Sequence, residues 1–163
     1  MDAEAEEMLQ VVDTRGRFLW AASRAECHAD SSLIHRSVCV LLFNAAGELY
    51  IQRRAMDKDL YAGLRDLSAS GHVRIGETED NAAARELSEE LGVRAPIERV
   101  QSVLLRLPEE TEHATIYRCK HDGVIIPDRD ELAGGEFYGQ VQVARLPDLT
   151  PYALGILTRL EYI

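Results

Sequence analysis

Apolar and polar residues alternate along most of this chain, in short runs that turn signals interrupt. Residues 8–23 (MLQVVDTRGRFLWAAS) alternate on both sides of a central DTRGR, which predicts a β-hairpin. Residues 37–55 (SVCVLLFNAAGELYIQRRA) predict two strands joined at NAAGE. Further strands are predicted for RVQSVLLRL (99–107), HATIYRCKHDGVI (113–125, with HDG as a turn) and FYGQVQVARL (137–146).

Only two segments carry a helical pattern, residues 80–91 and the tail from about residue 152 to residue 163. Strands outnumber helices and the order of the two is mixed, which predicts an α/β fold with a mixed sheet. The sequence has no internal repeat, low-complexity tract or linker, so we expect a single domain over residues 1–163. The first helix has candidate caps at both ends: Thr78 or Asp80, and Gly92.

Composition and charge exclude several classes of function. The net charge is −10, whereas proteins that grip nucleic acid carry basic patches, so no nucleic-acid partner is expected. The longest apolar run, VCVLLF, is far too short to cross a membrane. The acidic N-terminus MDAEAEEMLQ lacks a signal-peptide pattern, which favours a cytoplasmic protein. Three cysteines without a C-x-x-C pair are expected to be small core residues.

The most unusual stretch is GHVRIGETEDNAAARELSEELGV, residues 71–93, in which six of the fourteen residues from 77 to 90 are acidic. On a helix, Glu86, Glu89 and Glu90 fall within an arc of about 100° beside the apolar face. Acids in the last turn oppose the helix dipole, and Glu86 and Glu90 repel each other four residues apart. This pattern predicts a bound divalent cation, Mg²⁺ first, with a plain solvated acidic face as the alternative.

The spacing of particular residues in this stretch is a motif. It resembles the Nudix box, G-x5-E-x7-R-E-U-x-E-E-x-G-U with U aliphatic, and matches it at every fixed position. The residues that carry the match are Gly71, Glu77, Arg85, Glu86, Leu87, Glu89, Glu90, Gly92 and Val93. The resemblance implies an α/β/α sandwich with a mixed β-sheet, extended here by the N-terminal β-hairpin. It also implies hydrolysis of a nucleoside diphosphate linked to another group.

The same resemblance implies roles for individual residues. Mg²⁺ or Mn²⁺ is held by Glu86, Glu89 and Glu90 with the backbone carbonyl near Gly71. Glu77 supports the site by pairing with Arg85. Attack of water on phosphorus needs added positive charge and a carboxylate that takes the proton. Within the helix that base is Glu86. The candidates later in the chain are Glu112, Glu131 and Glu136, of which Glu112 ranks first.

A second resemblance lies around the box. AECHADSSLIHRSVCVLLFN (25–44) and GELYIQRRAMDKDLYAG (47–63) are similar to isopentenyl-diphosphate isomerases, a branch that shares the Nudix fold. This similarity implies a second metal site of three histidines with a glutamate near Glu112, and two basic residues facing the diphosphate. They are His28, His35 and His72, and Arg54 and Lys58. The isomerases need a cysteine where this chain has Ser70, a poorer acid and nucleophile.

The sequence therefore predicts a Nudix hydrolase built on the isomerase-like variant of the fold. We expect conversion of nucleoside di- or triphosphates to the monophosphate with Mg²⁺ or Mn²⁺ as cofactor. Arg53, Arg54 and Lys58 are the residues expected to bind the substrate phosphates. Two alternatives stay open, an isomerase of allylic diphosphates and a non-catalytic nucleotide-binding sensor. The sequence selects neither the base of the nucleotide nor an oligomeric state.

Overall fold

The computed structural model describes residues 7–163, which form nine strands and four helices. Residues 1–6 lie outside the described residues. They are part of the acidic N-terminal segment that lacks a signal-peptide pattern. In chain order the elements are β1 (Met8–Val12), β2 (Phe18–Ser23), α1 (Arg24–Ala29), β3 (Ile34–Phe43), β4 (Leu49–Arg54), β5 (Arg65–Asp66), β6 (Ala69–His72), α2 (Glu79–Leu91), β7 (Glu98–Arg106), β8 (Thr111–Lys120), β9 (Leu132–Tyr138), α3 (Gln140–Ala144) and α4 (Pro151–Arg159).

Strand β3 is the centre of the sheet, and its neighbours make the sheet mixed. It runs parallel to β8 in one register, from the pair Ile34–Thr111 to the pair Phe43–Lys120. Along its other edge it pairs antiparallel with β1, β6 and β4. Strand β7 extends the sheet beyond β8, and β5 and β9 pair with β4. The predicted mixed sheet is confirmed.

Alternate residues of β3 enter two different cores, because successive side chains of a strand point to opposite faces. Val38 and Val40 pack in one core with Leu87 of α2. Cys39 packs in the other core with Ile156 of α4. The sheet therefore buries apolar side chains on both faces, with a helix over each, and the predicted α/β/α sandwich is confirmed.

The N-terminal hairpin is also confirmed, and it packs against α1. Strands β1 and β2 pair antiparallel, with a shift in register between Val11 and Val12. A small third core joins the hairpin to α1, and its members are Leu9, Val11, Ala22 and Cys27 with Leu33 against them. This packing fixes where α1 lies. Cys27, Cys39 and Cys119 are all buried and free, as expected of core residues.

Two short helices depart from the sequence prediction. Helix α1 begins with a capping box, in which Ser23 Oγ accepts the amide of Glu26 at 3.1 Å and Glu26 Oε2 accepts the amide of Ser23 at 2.6 Å. The strand predicted for residues 137–146 is wrong beyond Tyr138, because β9 ends there and α3 begins at Gln140. A strand would place Val141 and Val143 on one face, but the helix buries Val143 and leaves Val141 65% exposed.

The C-terminal helix is confirmed but is shorter than expected. Thr150 Oγ1 accepts the amide of Ala153 at 3.1 Å and caps α4, which ends at Arg159 and not at residue 163. Glu161 follows with φ 55°, a left-handed conformation that cannot continue a helix. Among the described residues, no helix combines the length and the apolar character that crossing a membrane requires.

Candidate metal and phosphate site

Helix α2 presents the box carboxylates to a cleft because its caps and its apolar face fix its position. Thr78 Oγ1 accepts the amide of Asn81 at 3.1 Å, so Thr78 is the N-cap and Asp80 is not. Gly92, with φ 63°, ends the helix, and its amide donates to the carbonyl of Ser88 at 2.9 Å. The buried face consists of Ala82, Ala83, Leu87 and Leu91.

Glu86 and Glu90 point into the cleft one turn apart, whereas Glu89 at the rim is 54% exposed. Glu90 Oε2 accepts the amide of Ser70 at 3.0 Å and lies 3.3 Å from Nε2 of Gln52. Burial raises the pKa of Glu86 to about 7, against the opposing effect of Arg85. Burial and the nearby Glu86 raise the pKa of Glu90 well above its ordinary value. Two buried carboxyls on neighbouring turns repel each other when both are ionised. A cation bound between them would offset that repulsion.

Glu77 and Arg85 form a two-pronged ion pair beside these carboxylates. Arg85 Nε donates to Glu77 Oε2 at 2.8 Å, and a terminal nitrogen donates to Oε1 at 3.0 Å. The second terminal nitrogen donates to Glu86 Oε1 at 2.7 Å. Arg85 also donates to the carbonyl of His72 at 3.1 Å, so the pair ties α2 to the end of β6. The contact expected of a supporting pair is thus present.

The three histidines of the sequence prediction lie together although they come from α1, β3 and β6. The ring centroids of His28, His35 and His72 are 5.0–5.9 Å apart. Glu110 completes the group, with Oε2 2.8 Å from Nε2 of His28 and 3.3 Å from Nε2 of His35. One ligand atom from each of the four residues lies within 4.8 Å of the others. We call this set the histidine cluster.

Glu110 belongs to the histidine cluster but is not among the residues predicted from the sequence. A glutamate near Glu112 is the predicted partner of the histidines, and Glu112 Oε1 lies 3.3 Å from His35 Nε2 and 3.8 Å from His72 Nε2. The glutamate that groups with the three histidines is Glu110, two residues earlier and just before β8 begins at Thr111. Residues two apart in an extended chain share a face. The spacing of Glu110 and Glu112 is therefore a signal that could have found both.

The atoms of the histidine cluster suit a metal ion. Within the described residues, His28 Nε2, both ring nitrogens of His35 and Glu110 Oε2 are buried and make no hydrogen bond of good geometry, although His28 Nε2 and Glu110 Oε2 lie only 2.8 Å apart. Burial disfavours the charged form of His35, but Glu110 and Glu112 outweigh it and raise its pKa to about 9. Imidazoles and carboxylates that converge at 2.8–3.3 Å are close enough to share protons, and a cation that displaces those protons would be bound by their lone pairs. The residues present fit such a group.

The carboxylates of α2 line one cleft with His28, His72 and Glu110 of the histidine cluster, and this cleft has a volume of about 800 Å³. Its lining also includes Arg54 and Lys58, at the end of β4 and in the loop after it. Arg54 Nε donates to the carbonyl of Leu60 at 3.0 Å, and a terminal nitrogen lies 3.8 Å from Asp66 Oδ2. Lys58 pairs with Glu131. The cleft thus has both acidic and basic residues in its lining.

Three other residues predicted for the site are Arg53, Glu131 and Glu136, and only Glu131 lines the cleft. Arg53 does not line the cleft; it donates to the carbonyl of Gly63 at 2.7 Å and lies 3.4 Å from Asp148. Arg53 and Arg54 are neighbours on a strand and point to opposite faces, so direct phosphate contact is open only to Arg54. Glu131 lines the cleft, as does Glu112. Glu136 is exposed on β9 and is not a lining residue.

A family model described as the NUDIX domain matches residues 33–160. The chain belongs to the Nudix family. An uncharacterized Nudix hydrolase of Pseudomonas aeruginosa is 46% identical to it over 93 residues, 57% of this chain and 54% of that protein. Isopentenyl-diphosphate Delta-isomerase 2 of Photorhabdus laumondii is 30% identical over 151 residues, 90% of this chain and 85% of that protein.

A crystal structure of the protein DR0079 from Deinococcus radiodurans is similar to this Nudix protein with a TM-score of 0.81. The match covers 94% of this chain and 98% of that one at 24% identity, so it shows a shared fold. The chain spans about half the length of the Pseudomonas relative and most of the Photorhabdus one. The Nudix resemblance and its isomerase-like variant, both expected from the sequence, are confirmed.

Proposed function

We propose that this Nudix protein hydrolyses nucleoside di- or triphosphates of the cytoplasm to the monophosphate, with Mg²⁺ or Mn²⁺ as cofactor. The observation that carries the proposal is the buried pair of carboxyls Glu86 and Glu90, whose pKa values are raised in the absence of a cation. Such a pair is costly to the fold unless it binds something positive. An acidic surface alone would not bury these two side chains.

The residues that would hold the cation are Glu86, Glu89 and Glu90, with the backbone carbonyl of Gly71. Carboxylate and carbonyl oxygens are the ligands that Mg²⁺ prefers. When bound, a divalent cation neutralises charge on the phosphate oxygens and lowers the pKa of a water molecule. Gly71 and Ser70 both line the cleft next to these carboxylates, so the substrate can approach from that side.

Glu86 is the proposed general base. Its carboxyl lines the cleft, and a carboxylate in that position can take a proton from an attacking water. Arg85 donates to Oε1 of Glu86 at 2.7 Å, so Oε2 is left for both roles proposed for Glu86, and it would receive the proton only while the cation is held by the other three proposed ligands. Glu112 is the second candidate, because it lines the cleft and lies at the histidine cluster. As one of these oxygens takes a proton from the attacking water, the new O–P bond forms and the bridging P–O bond of the phosphoanhydride breaks, which releases phosphate or pyrophosphate and the monophosphate.

Arg54 and Lys58 are the proposed phosphate contacts. The carbonyl of Leu60 and the carboxylate of Asp66 hold the guanidinium of Arg54 at the cleft wall. A guanidinium is suited to phosphate because its donors form a planar fork. Arg53 would act indirectly, since its bond to Gly63 steadies the loop that carries Lys58.

The proposal includes a second cation at His28, His35, His72 and Glu110, with Glu112 beside them. Imidazole nitrogens favour a transition-metal ion over Mg²⁺. Buried nitrogen and oxygen atoms that converge in the histidine cluster without well-formed hydrogen bonds support this assignment. Both sites open on one cleft, so both would act on the same substrate.

Isomerisation of an allylic diphosphate is the second candidate, favoured by the 30% identity to an isopentenyl-diphosphate isomerase across most of both chains. Against it stands Ser70, whose hydroxyl replaces the thiol expected of the isomerases. A non-catalytic sensor is a third possibility, which the full set of box carboxylates disfavours.

One assay separates these functions. Purified protein is offered nucleoside di- and triphosphates, ADP-ribose, a dinucleotide and isopentenyl diphosphate, with Mg²⁺ or with EDTA. Nucleotide cleavage that needs Mg²⁺ supports the hydrolase and identifies its substrate class. Isomerised isopentenyl diphosphate with every nucleotide intact would overturn it in favour of the isomerase, and binding without turnover would leave the sensor.

A further inference from the structure

The two ring nitrogens of His72 face different carboxylates. Nε2 lies 3.8 Å from Glu112 Oε1, an atom that is also 3.3 Å from Nε2 of His35. This edge of the ring therefore faces the histidine cluster. Nδ1 lies on the other edge, 3.5 Å from Glu7 Oε2. Glu7 comes just before β1, at the start of the N-terminal hairpin extension.

Glu7 is held in place independently of His72. Its Oε1 accepts Nε of Arg74 at 2.8 Å, and its backbone carbonyl accepts the amide of Arg24 at 2.8 Å, where α1 begins. The carbonyl of the next residue, Met8, accepts the amide of Ile75 at 3.0 Å. The side chain of Glu7 is only 17% exposed. A carboxylate fixed in this way can orient a neighbour.

We propose that Glu7 is a positioning residue for His72: its carboxylate accepts a hydrogen bond from Nδ1–H and leaves Nε2 free to bind a cation in the histidine cluster. A neutral imidazole carries its proton on one nitrogen and offers the lone pair of the other. Glu7 is not among the four grouped ligand residues, so it acts from behind His72. This inference rests on the second cation site of the proposed function.

The proposal gives the hairpin extension a defined task. The extension supplies a carboxylate behind His72, and α1, which follows it, supplies His28 to the same cluster. The backbone bond between Glu7 and Arg24 links the two contributions. Groups that hydrogen-bond a metal-ligating histidine typically contribute about 10–100-fold to metal affinity.

The test measures Co²⁺ binding to the full chain by its visible absorption. Excess Mg²⁺ is present throughout, because it occupies sites built of carboxylates alone. His35→Gln identifies the signal of the histidine cluster. Glu7→Gln is expected to weaken that binding by about 10–100-fold, and Glu7→Asp to restore part of it. Asp13→Asn is the matched control, because Asp13 forms its ion pair with Arg17 in the hairpin turn. This control should bind like the wild type.

A second measurement reads the ring of His72 in the metal-free protein. Nitrogen-15 shifts should place the proton on Nδ1 in the wild type and redistribute it in Glu7→Gln. If Glu7→Gln does not fold, the same measurement on Glu7→Asp tests whether the carboxylate of residue 7 fixes the tautomer of His72. Wild-type Co²⁺ affinity and an unchanged tautomer in these variants would overturn the role of Glu7 alone. Wild-type Co²⁺ binding that His35→Gln does not reduce would overturn the second cation site and Glu7 together, while the nucleotide assay would still decide hydrolysis.

Discussion

Gly71 and Glu86 are in direct contact across the gap between β6 and α2. A Cβ on residue 71 would lie 2.1 Å from Oε1 and 2.3 Å from Cδ of Glu86. No side chain fits at that position unless Glu86 moves. The glycine of the box is therefore required by close approach of the carboxylate to the backbone of β6. The contact fixes Glu86 where Arg85 can also reach it.

Replacing this glycine tests whether the position of Glu86 matters. Gly71→Ala should displace the carboxylate and lower Mg²⁺-dependent turnover by about 100-fold, since a shift of about 1 Å has that effect on a catalytic geometry. Gly139→Ala is the matched control, because a Cβ there meets nothing closer than 3.5 Å. Turnover and thermal midpoint are measured for both. Wild-type turnover in Gly71→Ala would contradict the assignment of Glu86.

The raised pKa of Glu86 predicts how the metal-free fold responds to pH. Folding raises the pKa of this carboxyl from 4.5 to about 7, so the folded state keeps the proton longer than the unfolded state. Its stabilising contribution is complete below about pH 4.5 and is lost as the pH rises through about 7. The loss amounts to no more than about 3 kcal/mol.

The measurement is denaturant unfolding in EDTA at several pH values between 5 and 8. Glu86→Gln should lose less free energy of unfolding than the wild type over this range, and added Mg²⁺ should stabilise the wild type more at pH 8 than at pH 5. Comparing the two proteins cancels the titrating groups that do not interact with Glu86, and the difference that remains belongs to Glu86 together with Glu90, whose pKa Glu86 raises. Parallel pH profiles would show that Glu86 ionises as freely in the fold as in water.

The Glu77–Arg85 pair should matter to both stability and metal binding. Glu77→Gln removes a charged acceptor from a largely buried guanidinium, which should lower the free energy of unfolding by about 1–3 kcal/mol. Arg85 would then turn further toward Glu86 and weaken the affinity for Mg²⁺. Glu98→Gln is the control, because Glu98 and Arg118 form a comparable pair that is more than half exposed. Equal effects of the two substitutions would deny Glu77 a special role.

Local patterns predict the elements of this fold when they are long or clearly capped. Helix α2 has thirteen residues, a threonine N-cap and a glycine at its end, all visible in the sequence. Helix α1 has only six residues, too few for an apolar period to appear, and its capping box is the sole local signal. Helix α3 resembles a strand because Val141 and Val143 alternate with polar residues over a segment too short to distinguish the two periods.

The site is only partly predictable, because its parts come from distant segments. The box carboxylates can be predicted from one helix. The histidines meet through the pairing of β3 with β6 and the packing of α1, which local sequence does not contain, so only the isomerase resemblance groups them. The choice between Arg53 and Arg54 depends on which face of β4 borders the cleft. Glu7 enters the site through a hairpin whose side-chain contacts no motif describes.

The most direct test of the central claim compares nucleotide cleavage by the wild type and by Glu90→Gln, each with Mg²⁺ and with EDTA. Gln keeps the size of the side chain and an acceptor for the amide of Ser70, so the fold should persist. It removes the charge that the cation requires, and turnover should fall by at least about 100-fold. Near-wild-type, Mg²⁺-dependent turnover in a folded Glu90→Gln protein would contradict the claim that these buried carboxylates hold the catalytic cation.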